Sequence, residues 1–138
     1  NGNFIIVWQS SGQDGAGYGV YAQRYNSNGT TNGTEYRVNT YTTSEQNAPS
    51  VALNSSGNFV IVWQSNSQDE DGFGVYGQRY NSNGTTNGGE FIINKYTTSN
   101  QKNPVVAIDS SGNFAISWQS NGQDGYGDGI FTRRYKFF

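Results

Sequence analysis

Gly57-Asn58-Phe59-Val60-Ile61-Val62-Trp63-Gln64-Ser65 is the stretch on which the fold turns. Phe59, Ile61 and Trp63 alternate with Val60 and Val62, so an extended backbone presents apolar side chains on both of its faces. A strand of that kind lies between two layers. Nearly the same text stands at Gly2-Asn3-Phe4-Ile5-Ile6-Val7-Trp8-Gln9-Ser10 and at Gly112-Asn113-Phe114-Ala115-Ile116-Ser117-Trp118-Gln119-Ser120, which sets Trp8, Trp63 and Trp118 55 residues apart. Roughly two thirds of aligned positions are identical between the first two copies, without a gap. Residues 1–138 thus read as one repeat region: copies at 2–56 and 57–111, and a partial third at 112–138. A fixed period of this kind marks a stacked architecture whose units bury their apolar faces on one another. Such chains work mainly through extended surfaces.

Working outward from Trp63, a polar Gly-rich loop covers 66–74, and Tyr76, Gln78 and Tyr80 alternate along a second strand over 75–81. Asn83-Gly84 and Asn87-Gly88 mark tight turns, because both residue types tolerate positive φ. A short strand is expected over 90–94, a polar connector over 96–103 ending at Pro104, and a fourth strand over 105–108. No segment carries a helical period. The expected fold is all-β: tandem four-stranded antiparallel units arranged as β-propeller-like blades, with a linear β-repeat array as the alternative. The three tryptophans are expected in the core between neighbouring sheets.

Composition narrows the chemistry. Charged residues make up 13% of the chain and the net charge is −2, so there is no basic footprint for nucleic acid. There is no Cys and no His, which removes thiol, zinc-finger and histidine-triad chemistry. No apolar run approaches the length of a membrane span. The text has no Met and begins inside a repeat, and it reads as a piece of a longer or processed chain. It opens on the second strand of a unit and closes after a third, near Tyr135. Sheet edges are therefore expected to join further repeats or to self-associate.

The motif Trp-Gln-Ser…Gln-Asp-Gly…Gly-Val-Tyr-x-Gln-Arg-Tyr-Asn, followed by Glu-Phe/Tyr…Val-Asn and Tyr-Thr-Thr, resembles the tandem repeats of very large secreted or cell-surface bacterial proteins. These are of the cyanobacterial haemolysin-like or adhesin type, often exported by type I secretion. The resemblance covers essentially the whole chain. It implies an extracellular or cell-surface location and a structural or adhesive role. The Gly-Asp nonapeptide that binds calcium in the β-rolls of such exporters is not present here. The third copy departs from the pattern at Arg133 and at Lys136-Phe137-Phe138, as a chain end or capping unit would.

Three kinds of candidate site follow. The loops after the Trp strands hold Asp14; Asp69, Glu70 and Asp71; and Asp124 with Asp128. Asp14, Asp69, Asp71, Asp124 and Asp128 are candidate calcium ligands, since calcium takes six to eight oxygens from flexible acidic loops; the other reading is that each repeat-constant Asp caps a turn. No cofactor is required by the sequence, and calcium is the one it suggests. Tyr18, Phe73 and Tyr126 lie in the same loops and are candidate stacking platforms for carbohydrate. Glu35 and Glu90 recur beside the third strand, but equivalent positions do not make the asymmetric pair that glycoside chemistry needs. They read as solvated strand-end charge, and Arg24, Arg79 and Arg134 as structural ties. The Asn-x-Ser/Thr matches at Asn28, Asn32, Asn54 and Asn83 read as turn chemistry. The expectation is a non-enzymatic extracellular structural or adhesive protein forming a coat, fibre or attachment surface, with a multivalent lectin-like propeller module as the alternative.

Overall fold

The computed structural model describes residues 2–137. Among them there is no helix, and hence none long and apolar enough to cross a membrane. The strands are β1 (Phe4–Ser11), β2 (Tyr18–Tyr25), β3 (Tyr36–Arg37), β4 (Gln46–Leu53), β5 (Phe59–Asn66), β6 (Phe73–Tyr80), β7 (Phe91–Ile92), β8 (Gln101–Ile108), β9 (Asn113–Asn121) and β10 (Asp128–Lys136). They form three antiparallel meanders: β1-β2-β3, β4-β5-β6-β7 and β8-β9-β10. The series of sheets is open rather than closed. The last residue, Phe138, lies outside the described residues.

The Trp strands β5 and β9 sit inside their sheets, while β1 forms an edge of the first, and the residues of β5 show why such a strand is buried on both faces. Trp63 is opposite Tyr76, and Phe59 opposite Tyr80 with the rings stacked at 4.8 Å. This face packs under Val20, Ala22 and Val38 of the first sheet in one cluster. Val60 and Val62, on the reverse face, pack with Val75, Ile93, Phe114, Ile116 and Trp118 in the other. Trp63 is 0% exposed and Trp118 5%. Trp8 departs from the expectation of a core position. It is only half-buried, because no sheet among the described residues covers the outer face of β1.

The strand entering each unit also differs from the expected one. Pro104 was expected to close a connector, with the strand confined to 105–108. Instead β8 runs from Gln101, and β4 likewise from Gln46, each through a bulge. Asn103 and Ala48 take positive φ of 53° and 50°. Pro104 and Pro49 follow them in the bulge, where a missing N–H costs no ladder bond. The bulge N–H groups turn to the preceding sheet: Asn103 N donates to Gln64 Oε1 at 2.8 Å, and Ala48 N to Gln9 Oε1 at 3.0 Å.

The Asn-rich turns behave as turn chemistry. Asn28 Oδ1 accepts from Thr30 N and Asn83 Oδ1 from Thr85 N, each at 3.0 Å, and Asn54 Oδ1 accepts from Ser56 N and Asn58 N. Arg24 Nη1 donates to Ser82 O at 3.0 Å across the first seam, and Arg79 lies over the Phe91 ring at 5.5 Å.

Candidate functional site

The Gly-rich loops between β1 and β2, β5 and β6, and β9 and β10 all emerge at one end of the sheets, together with the connectors 38–45 and 93–100. What organises this end is an amide. Asn94, 2% exposed, accepts from Val75 N through Oδ1 at 2.7 Å. Its Nδ2 faces Asp69 Oδ2 at 3.2 Å, Tyr96 O at 3.0 Å and Gln101 Oε1 at 3.1 Å. Asn39 repeats the pattern with Val20, Asp14, Tyr41 and Gln46. Asn39 and Asn94 were not singled out from the sequence. The usable signal was the constant spacing Asp14–Asn39–Gln46 and Asp69–Asn94–Gln101, 25 then 7 residues in both copies.

The aspartates are therefore tied down one at a time. Asp14 and Asp69 serve the buried amides, and Asp71 Oδ2 accepts from Ser99 N at 2.9 Å. Asp128 Oδ1 accepts from Asn121 Nδ2 at 2.9 Å. Asp124 folds toward Gly129, where a Cβ would lie 2.8 Å from its Oδ2. The equivalent Asp69 carboxylate leans so close to Gly74 that any Cβ there would strike it, so glycine at this register is a packing requirement. Among the described residues no three acidic side chains gather as a metal cluster.

Burial holds the Asp69 carboxyl above its ordinary value of 3.8, against the opposing hydrogen bond from Asn94. The native state then holds this proton more tightly than the unfolded chain. Its contribution to stability is fullest below 3.8 and is lost as pH rises through the folded value. On going from about pH 3 to about pH 7, the natural chain is expected to lose stability relative to Asp69→Asn, which has no carboxyl to titrate at this position. Thermal midpoints of the two proteins measured across that range check it. Parallel curves would show that Asp69 is not the group responsible.

The aromatic candidates divide. Tyr18 and Phe73 open β2 and β6 at matching register, opposite Ser11 and Asn66. The ring of Phe73 is already occupied: Lys102 Nζ sits 4.7 Å from its centroid. Tyr126 stands at a loop tip, 94% exposed. It is not the third copy of that register position, which Asp128 takes instead. The structure does not bring the three rings to one place; each belongs to its own sheet.

Asp128 forms one wall of a polar groove of about 190 Å³ with Asn100, Lys102, Gln119 and Asn121. Amides and a carboxylate line it, with Asn121 Nδ2 donating to Asp128 Oδ1 at 2.9 Å and Asn103 Nδ2 to Gln119 Oε1 at 3.1 Å. Such a lining can donate and accept hydrogen bonds at several closely spaced points. Asn100, Gln119 and Asn121 were not marked from the sequence, because Asn and Gln are common throughout this chain, and Lys102 stands alone in a polar connector. Glu90 is corrected as well: it is a tie rather than free strand-end charge, accepting from Gln68 Nε2 at 2.6 Å and from Thr40 N at 2.8 Å in the preceding repeat's connector.

No family model and no curated protein matches the sequence. Among solved structures, the endo-arabinase from Bacteroides thetaiotaomicron VPI-5482 is similar in fold, with a TM-score of 0.56 at 14% identity over 97% of this chain and 52% of that chain. The present chain spans about half the length of that neighbour. The neighbour is a β-propeller, and the fold of this chain is propeller-like in the same sense. The comparison corrects the expectation that a chain of this architecture is non-enzymatic: the neighbour is an enzyme. Stacked sheets of this kind can therefore carry an active site, and repeat character is no ground for excluding catalysis.

Proposed function

We propose that this chain is a carbohydrate-binding β-propeller module of an extracellular bacterial protein. The observation that carries the reading is the groove of Asn100, Lys102, Gln119, Asn121 and Asp128; the exposed Tyr126 stands two residues before Asp128 in the chain. Sugar hydroxyls each offer a donor and an acceptor, which amide and carboxylate side chains match in pairs. A ring standing free in solvent supplies an apolar face for the C–H side of a pyranose or furanose. The likeness to an endo-arabinase, a carbohydrate-directed enzyme, supports the same substrate class. The adhesive role implied by the repeat resemblance is compatible with it, since a surface that holds glycans attaches cells to them.

A glycan array probed with the soluble chain, including arabinose-containing oligosaccharides, is expected to give repeatable binding to one sugar class. Tyr126→Ala and Asn121→Ala are each expected to weaken it by tenfold or more, about 1.4 kcal/mol or greater. A blank array with folded protein rejects the reading. A reducing-end assay on the same oligosaccharides separates a sugar held from a sugar cleaved. Calcium is not part of this proposal, because the loop aspartates are each tied to a separate partner; a thermal midpoint lowered by chelator would bring it back.

A further inference from the structure

The two seams between sheets are built from the same repeat positions, and they differ at the outer rim. In the second seam Arg133 Nη1 reaches across and donates to Ile93 O at 2.7 Å. The equivalent residues of the first seam, 55 positions earlier, are Gln78 and Val38. Gln78 turns the other way: its Nε2 donates to Arg79 O at 2.9 Å and to Gly88 O at 3.0 Å, both in its own hairpin. Beside it lies an opening of about 530 Å³, lined by Tyr36, Val38 and Thr40 of the first sheet and by Gln78, Tyr80 and Thr86 of the second.

Bonds between the two sheets bound this opening at either end. Toward the Gly-rich loops, Thr40 N and Oγ1 donate to Glu90 Oε2 at 2.8 and 2.9 Å. Toward the Asn-Gly turns, Arg24 Nη1 donates to Ser82 O at 3.0 Å, and the guanidinium lies against Gly84, where a Cβ would meet its Cζ at 2.6 Å. Every residue that bounds the opening lies between positions 24 and 90, well inside the chain.

We propose that this opening is a second carbohydrate site, which takes one uncharged sugar residue. The inference rests on the sugar-binding reading above for its ligand class, and the site shares no residue with the groove at Asn121.

Its size falls in the range of small-molecule sites, about 300–1,000 Å³. The rings of Tyr36 and Tyr80, 5.7 Å apart and tilted by 52°, form with Val38 an apolar wall for the C–H face of a sugar. Gln78 and Tyr80, each 3% exposed, form the floor, while Thr40 and Thr86 stand exposed at the mouth. The two Nε2 bonds fix the Gln78 amide and turn its Oε1 to the opposite side as a set acceptor. The threonine hydroxyls can each donate and accept. Charged groups at the border already hold protein partners: Glu90 accepts from Thr40 and Gln68, Arg24 donates to Ser82 O, and Arg37 Nε donates to Asn39 O at 3.0 Å. The contacts on offer are thus those of amide and hydroxyl, which suit a neutral guest. Walls held by two sheets need little ordering when a ligand enters. In the second seam the Arg133 side chain takes this place, so the two seams are not equivalent as sites.

Amide chemical-shift mapping by NMR tests the proposal on the 138-residue chain, with the methyl glycosides of arabinofuranose, galactose and glucose as probes. One glycoside is expected to shift the amides of Val38, Thr40, Gln78 and Thr86 saturably. Gln78→Arg supplies the side chain that the third copy carries at this position, and Thr86→Trp fills the mouth from an exposed position. Each variant is expected to keep the spectral dispersion of the natural chain and to raise the Kd read at the seam tenfold or more. Shifts at Asn121 and Asp128 should persist in both. Shifts at the groove alone overturn this site and leave the sugar reading standing, whereas shifts at the seam alone overturn the groove instead. A folded chain that responds at neither place overturns both. A folded Gln78→Arg or Thr86→Trp variant that binds at the seam as tightly as the natural chain also overturns the proposal.

Discussion

Trp63→Ala is expected to cost about 3–5 kcal/mol, enough to leave a domain of ordinary stability marginal or unfolded. The side chain is fully buried at the centre of the first cluster, between β5 and the Val20–Ala22–Val38 surface. Truncation would empty a space that two sheets line and neither can fill alone. Trp8→Ala, at the same repeat position, is expected to cost less than half as much in the monomer, because that indole is half in solvent already. Urea denaturation of the two variants side by side measures the difference. Trp63→Phe is expected to be mild, since the buried Nε1 of Trp63 has no acceptor among the described residues and its loss strands no partner. Equal losses at positions 8 and 63 would contradict the layered core.

Asn94→Leu is the second large effect, about 2–4 kcal/mol, and its origin is polar. Leucine is close to asparagine in size, so little space opens. The Val75 amide, however, loses its 2.7 Å acceptor, and the Asp69 carboxylate and the buried Gln101 lose a shared donor. Leaving a carboxylate half-buried without its partner is the costly part. The double variant Asp69→Ala/Asn94→Leu should therefore cost clearly less than the sum of the singles, because the second change removes the group the first strands. Chemical denaturation of the four proteins in the cycle tests it. Strict additivity would mean that the two side chains do not act through one another.

The strand pattern was legible because it is periodic and repeated. Phe59 to Trp63 with apolar residues on both faces could lie only between layers, and both clusters bear that out. The entry strands were read too short because proline and polar residues at 101–104 carry no alternation. A bulge, which nothing in local propensity announces, keeps them in the sheet. Trp8 was misplaced for a different reason: a repeat argument transfers burial from copy to copy, but burial depends on the neighbour, and among the described residues β1 has none on its outer side. The Asp–Asn–Gln network escaped notice because asparagine is so common here that a buried one looks like another turn residue. The groove at Asn121 and Asp128 is assembled from β8, β9 and β10, and only the folded register brings those positions together.

The bulge at Ala48 and Asn103 has a consequence for how such a chain can change. Each seam is latched by a glutamine side chain gripping a main-chain N–H, and the side chain on the gripped residue differs between the two copies without loss of the latch. A left-handed residue other than glycine is held at a cost of about 1–2 kcal/mol, which the latch helps to offset. Recognition that reads backbone rather than side chain makes neighbouring units interchangeable cassettes. Copies can be duplicated, deleted or shuffled by recombination and still lock to whatever unit comes next, provided the glutamine stays.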